Sequence, residues 1–137
     1  MSDMKANKRI ALVAHDDKKA AMVAWAQKHE AALAGCQIWG TGTTGGRVAE
    51  ATGLTVQRLK SGPLGGDQQI GAMIAEEELD VLFFFIDPLA AMPHDVDVKA
   101  LLRISTLTQT VIAVNEATAD FVIESQLFGK PYQAEAN

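Results

Sequence analysis

Residues 81–86 read VLFFFI, an unbroken apolar run with an acid on either side at Asp80 and Asp87. It is far shorter than the roughly 18 residues a membrane span needs. It shows neither the alternation of a half-buried strand nor the spacing of an amphipathic helix. Aromatic and β-branched content favours a strand. A strand apolar on both faces must be covered on both, which is the place of a central strand in a parallel sheet clothed by helices.

The flanking sequence supplies the other layers. RIALVAH (9–15) reads as a first strand, and 17–34 as a helix carrying Met22, Trp25, Ala26, His29 and Leu33, with Asp16 as its cap. QIWGTG (37–42) is a second strand, followed by a short helix over 43–53. TVQRLK (55–60) alternates as a third strand, and Asp67 to Leu79 reads as a helix with Ile70, Met73 and Ile74 on one face. After the fourth strand, 95–107 reads as a helix with Val98, Leu101, Leu102 and Ser105 inward, 110–114 as a fifth strand and 117–126 as a last helix. Five strands joined by helical crossovers predict an α/β fold: a three-layer, doubly wound five-stranded parallel sheet. The whole of 1–137 forms one domain, with 1–8 and 129–137 expected as flexible tails.

Composition narrows the function. A net charge of −5 and a pI near 5.1 argue against a nucleic-acid binder, which would show a basic face. No run is long enough to span a membrane, and MSDMKANKR lacks the apolar core of a signal peptide, so a cytoplasmic protein is expected. Cys36 is the only cysteine, expected to be a small buried filler rather than a nucleophile.

The unusual residues follow the strands. The five strands lead into His15–Asp16, Gly40–Thr44, Ser61–Pro63, Asp87–Pro88 and Asn115. In open parallel sheets that C-terminal edge holds the ligand crevice. Two of these turns are glycine-rich and open helices, where bare amides suit a phosphate. Thr41, Thr43, Thr44 and Ser61 add hydroxyls, and Lys19 adds a charge. Gly40, Gly42 and Gly45 match G-x-G-x-x-G, yet they follow the second strand and Lys60 ends the next one. A dinucleotide is therefore not expected, and a monophosphate fits the short sheet better. His15, Asp87, His94 and Asp97 are of metal-binding types, but H-x-x-D has no distinctive spacing and no metal is expected. Asp67 opens a helix, where aspartate is a favoured cap, or else it is a base. PHDVD places His94 beside Asp95 and Asp97. A carboxylate, an imidazole and a phosphate cradle suit proton abstraction beside a carbonyl on a small phosphorylated molecule.

The motifs VAHDDKK, GTGTTG, SGPLGGDQQIGAMI, DPLAAMPHDVDVKALLR and NEATADFVI strongly resemble the methylglyoxal synthase family, in the same order, over roughly residues 9–127. The resemblance implies the strand order 3-2-1-4-5. It implies a carbon–oxygen lyase that converts dihydroxyacetone phosphate to methylglyoxal and inorganic phosphate through an enediolate, with no metal or organic cofactor. By motif, Asp67 is implied as the base, His94 as the proton shuttle on the substrate oxygens, Asp97 as the acid paired nearby and Asp87 as a further site carboxylate. His15, Lys19, Thr41, Gly42, Thr43, Thr44, Ser61 and Gly62 match substrate- and phosphate-binding positions. The family's usual hexamer is carried over as well. Family members commonly have a longer, more basic C-terminal segment than GKPYQAEAN, so the resemblance does not extend to inhibition by phosphate. Two rival readings differ in kind: a phosphate-ligand-binding regulatory domain like that of carbamoyl phosphate synthetase, and an isomerase of the same triose phosphate.

Overall fold

The computed structural model describes residues 3–90 and 95–135, with the side chains of 95–97 outside that description. Its main body is a five-stranded parallel sheet. In chain order the strands and helices are β2 (Arg9–Ala14), α1 (Lys19–Lys28), α2 (Glu30–Leu33), β3 (Gln37–Thr41), α3 (Gly42–Ala51) and β4 (Val56–Leu59), then α4 (Gly66–Ala75), β5 (Val81–Phe85), α5 (Asp95–Thr108), β6 (Val111–Ala113) and α6 (Glu116–Ile123). Two short terminal strands, β1 (Asp3–Met4) and β7 (Tyr132–Gln133), stand outside this sheet. The sheet order β4-β3-β2-β5-β6 is the expected 3-2-1-4-5, with every neighbouring pair parallel.

The apolar run behaves as its composition requires. All of β5 is buried, and its side chains divide between two cores. Val81, Phe83 and Phe85 pack with Met22, Trp25, Val48 and Ile123, from α1, α3 and α6. Leu82 and Phe84 pack on the other face with Ile70, Ile74, Val98 and Leu101, from α4 and α5. Burying one such side chain fully contributes about 1.5–3 kcal/mol. Alternation along a strand thus explains both why the run cannot be polar anywhere and why helices lie on each side.

Four local expectations need correction. The helix expected over 17–34 is a 3-10 turn at Asp16–Lys18, then α1, then α2. His29 breaks it by leaving helical torsions (φ −109, ψ 21). Its Nε2 lies 3.2 Å from Asp120 Oδ1, and its ring packs on Trp25. Asp16 is not a cap; its carboxylate sits 2.8 Å from Lys19 Nζ within that 3-10 turn. Leu102, expected inward, is 39% exposed, while Val98, Leu101 and Ser105 are buried. The ends, expected as loose tails, meet: β1 and β7 pair antiparallel. Lys8 ties them by donating from Nζ to the carbonyls of Lys5 (2.7 Å) and Lys130 (2.6 Å). A two-residue strand carries no readable alternation, which is why no pattern announced them. Cys36 is half-buried, and burial pushes its thiol up from the ordinary range, which suits an inert filler. Among the described residues no helix is long and apolar enough to cross a membrane.

Candidate active site

The C-terminal edge of β2, β3, β4 and β5 opens into a cavity of about 550 Å³. Val13 and Phe84, from the two central strands, line it with polar residues from the turns above them. It lies beside the point where the chain, having built the sheet outward from β2 through β3 and β4, crosses back to β5. Ligands bind at such a reversal because the adjoining turns diverge and leave a crevice.

The first wall is the start of α3. Gly42 is the first helical residue and has φ +45, a left-handed torsion that glycine tolerates. A Cβ there would stand 2.8 Å from both Cα and Cβ of Ser61, so only glycine lets the β3 and β4 turns approach this closely. The α3 turn of Thr43 and Thr44 follows, with its free amides at the positive end of a helix. Lys19 Nζ donates to Thr43 Oγ1 at 2.7 Å and pairs with the exposed carboxylate of Asp16. An exposed pair adds little stability, but it fixes the ammonium at the cavity wall.

The second wall is SGPLGG. Ser61 O accepts from the amides of Leu64 (3.0 Å) and Gly66 (2.9 Å), which folds the stretch back on itself. Gly65, at φ +115, leads into α4. Gln69 Oε1 accepts from Lys60 N at 2.8 Å, tying the new helix to the end of β4. Asp67 is therefore in the first turn of α4 but is not its cap: Gly65 holds that position and no side chain caps the helix. The Asp67 carboxylate is 4% exposed and lines the cavity. A Cβ on Gly62 would come within 3.1 Å of its Oδ1. The bare backbone of the turn is what leaves room for that acid.

The third wall is His15 and the turn after β5. His15 N donates to Phe85 O at 3.1 Å, and the imidazole stands edge-on to Phe84 with ring centroids 5.1 Å apart. The amide of Asp87 donates to His15 Nδ1 at 2.9 Å.

The cavity lining thus includes His15, Lys19, Thr41, Gly42, Thr43, Thr44, Ser61, Gly62, Asp67 and Asp87, each singled out from sequence. His94 lies outside the described residues, as does the side chain of Asp97; the backbone of Asp97 belongs to the first turn of α5. Sequence reasoning gave no site role to Asp16, Asp17 or Phe84, which also line the cavity. The HDDKK string contained the two acids, and only the pairing of β2 with β5 shows that Phe84 belongs beneath His15. Asn115, which also follows a strand, is not in the lining: its side chain caps α6 by accepting from Thr118 N at 2.8 Å. Among the described residues, four that line the cavity are acidic (Asp16, Asp17, Asp67, Asp87) against one lysine, Lys19. An anion held here must rely on helix-start amides and hydroxyls as well as on that one ammonium.

Comparison with known proteins agrees with this fold. Residues 21–113 match the family model described as an MGS-like domain. The methylglyoxal synthase of Agrobacterium fabrum (strain C58 / ATCC 33970) is 60% identical over 122 residues, covering 88% of this chain and 96% of that protein. That of Hahella chejuensis (strain KCTC 2396) is 56% identical over 119 residues, covering 87% of this chain and 78% of the relative. The crystal structure of methylglyoxal synthase from Elizabethkingia anophelis NUHP1 superposes with a TM-score of 0.92 at 47% identity, covering 98% of this chain and 89% of that one.

Proposed function

The chain belongs to the methylglyoxal synthase family, and from that membership we propose how this cavity converts dihydroxyacetone phosphate to methylglyoxal and inorganic phosphate, with Asp67 as the base. The observation that carries the assignment is a carboxylate only 4% exposed, set into the cavity wall that it shares with Lys19 and the α3 helix start. A module that only binds phosphate has no use for a buried acid beside its ligand, because the two charges repel. A proton-abstracting enzyme does.

The phosphate rests on the amides of Gly42–Thr44 and on the Ser61–Gly62 turn, with Lys19 beside it. These groups put the hydroxymethyl carbon against Asp67. Asp67 takes a proton from that carbon, and the electron pair moves onto the carbonyl oxygen as an enediolate. His94, paired with Asp97, carries protons on the substrate oxygens. The enediolate then collapses: the bond from the neighbouring carbon to the phosphate oxygen breaks, inorganic phosphate leaves with the electron pair, and the enol product ketonises to methylglyoxal. Elimination rather than isomerisation follows when the cradle turns that C–O bond perpendicular to the enediolate plane. In this reading the chain is one domain that works in the cytoplasm as a homohexamer and engages no nucleic acid.

Purified protein given dihydroxyacetone phosphate should release methylglyoxal and free phosphate in equal amounts. Glyceraldehyde phosphate alone would mark an isomerase, and binding without turnover a regulatory module. Asp67→Asn keeps the size and removes the base, so turnover should drop by about 10²-fold or more with the fold retained. Near-normal turnover in that variant would move the base elsewhere.

A further inference from the structure

Asp87 follows β5 and lines the cavity. Its Oδ1 accepts from the amide of Leu89 at 3.0 Å, an Asx turn across Pro88. Pro88 keeps Asp87 out of the helical region and pre-sets the next torsion. The turn closes at Ala90, whose amide lies 3.5 Å from Asp87 O. These constraints restrain the torsions at Asp87, and through them the direction of its amide, which belongs to the peptide from Ile86. That amide donates to His15 Nδ1 at 2.9 Å.

A backbone N–H can only donate, so Nδ1 must be the unprotonated nitrogen and the proton must sit on Nε2. The edge contact with Phe84 holds the ring from another side, and the backbone bond from His15 N to Phe85 O fixes the main chain that carries it. From this geometry we infer that Asp87 is a positioning residue: its side chain shapes the turn that aims its own amide at His15 and holds the imidazole as the neutral Nε2–H tautomer. The consequence for catalysis rests on the reaction proposed above. Every oxygen of the substrate that carries or develops charge is an acceptor, so a ring lining the cavity serves it as a donor. Setting the tautomer in advance removes the reorganisation that a freely titrating ring would need during turnover.

The test separates the turn from the charge. Asp87→Asn loses the carboxylate charge but keeps an oxygen for the Leu89 amide. Asp87→Ala loses both. In protein labelled with ¹⁵N-histidine, with His15 assigned by replacing His29 and His94 singly, wild type and Asp87→Asn should show Nδ1 bare and Nε2 protonated across neutral pH. Asp87→Ala should show mixed tautomers and a His15 that titrates. In turnover, Asp87→Ala should lose about 10-fold or more in kcat/KM relative to Asp87→Asn, which keeps the turn. A protonated Nδ1 in wild type overturns the inference, with no variant needed. So does an unchanged tautomer in Asp87→Ala, or an Asp87→Asn as inactive as Asp87→Ala, which would make the carboxylate itself the working group. The spectra are taken without substrate, so they stand even if the chain acts on a different phosphorylated compound.

Discussion

At the N-terminal edge of the sheet, charged groups find partners within the chain; at the C-terminal edge, polar groups converge on a space large enough for a small molecule. The contrast is plain at Asp80, just before β5. Its carboxylate is 2% exposed and accepts from Arg9 N, Nε and Nη2 at 2.8, 3.2 and 2.8 Å. That bonding raises the Arg9 pKa above its ordinary value. Lys8, also 2% exposed, donates to two carbonyls, and burial lowers its pKa. These side chains end in bonds that close the fold. Asp67 is buried to the same degree at the other edge, yet it lines a cavity beside Gly62 and the threonines.

The left-handed residues divide the same way. Among the described residues, those at the cavity edge are Gly42 (φ +45) and Gly65 (φ +115), and those at the opposite edge are Glu77 (φ 55) and Gln109 (φ 60). Torsion alone therefore does not dictate glycine. At Gly42 it is the nearness of Ser61 that forbids a side chain, whereas Glu77 and Gln109 are exposed. Glycine at the cavity records how close two turns must come to hold a ligand between them.

The largest effect on this contrast should come from Gly42→Ala. The new Cβ must push Ser61 aside and adopt a torsion that costs an alanine roughly 1–2 kcal/mol. Adding overpacking of about 1–3 kcal/mol gives a loss of about 2–5 kcal/mol in denaturant unfolding. Turnover of the protein that remains folded should fall about 10²-fold, because both walls of the phosphate site move. Normal turnover would mean that the two turns need not touch, and the distinction between the edges would weaken.

Asp80→Ala should do the reverse. It leaves the Arg9 guanidinium and amide without their carboxylate. Because Arg9 is about one-third exposed, water recovers part of the loss, and about 2–3 kcal/mol of stability should go. Activity per folded molecule should stay at the wild-type level, checked by active-site titration beside thermal unfolding. A variant of normal stability and impaired turnover would place the two edges in communication.

How much of this was legible beforehand depended on the range of each signal. VLFFFI revealed the covered sheet because burial on both faces leaves a mark in every residue of the run. The rim was legible because glycines and hydroxyl residues recur after strands, and strand direction then brings distant turns together. What failed was shorter or non-local. The break at His29 depends on Asp120, some ninety residues away, and on the face of Trp25. The union of Asp3–Met4 with Tyr132–Gln133 depends on the position of Lys8 between both ends. The cap, one of the two roles open to Asp67, fell to the Gly65 turn, because Ser61 O draws in the Gly66 amide and starts the helix before the acid.

The smallest effect is the most discriminating, because it asks the same torsional question with the opposite answer. After α4 the amide of Glu78 donates to Met73 O (2.8 Å) and that of Glu77 to Ile74 O (3.0 Å), the bonds of a Schellman cap whose left-handed position usually belongs to glycine. Glu77 fills it, in a run of three exposed glutamates at the helix end that the macrodipole disfavours for acids. Glu77→Gly should therefore stabilise the protein by about 0.5–1 kcal/mol, read as a higher denaturant midpoint at unchanged slope, with turnover unaltered. Glu77→Ala removes the charge while keeping the strained Cβ, so it should recover only the electrostatic few tenths of a kcal/mol. If the alanine variant gained as much as the glycine, charge rather than torsion would be the cost at this cap. If both lost stability, the N-terminal edge would be as tightly built around its left-handed residue as the cavity edge is around Gly42, and the difference between the edges would lie in their chemistry alone.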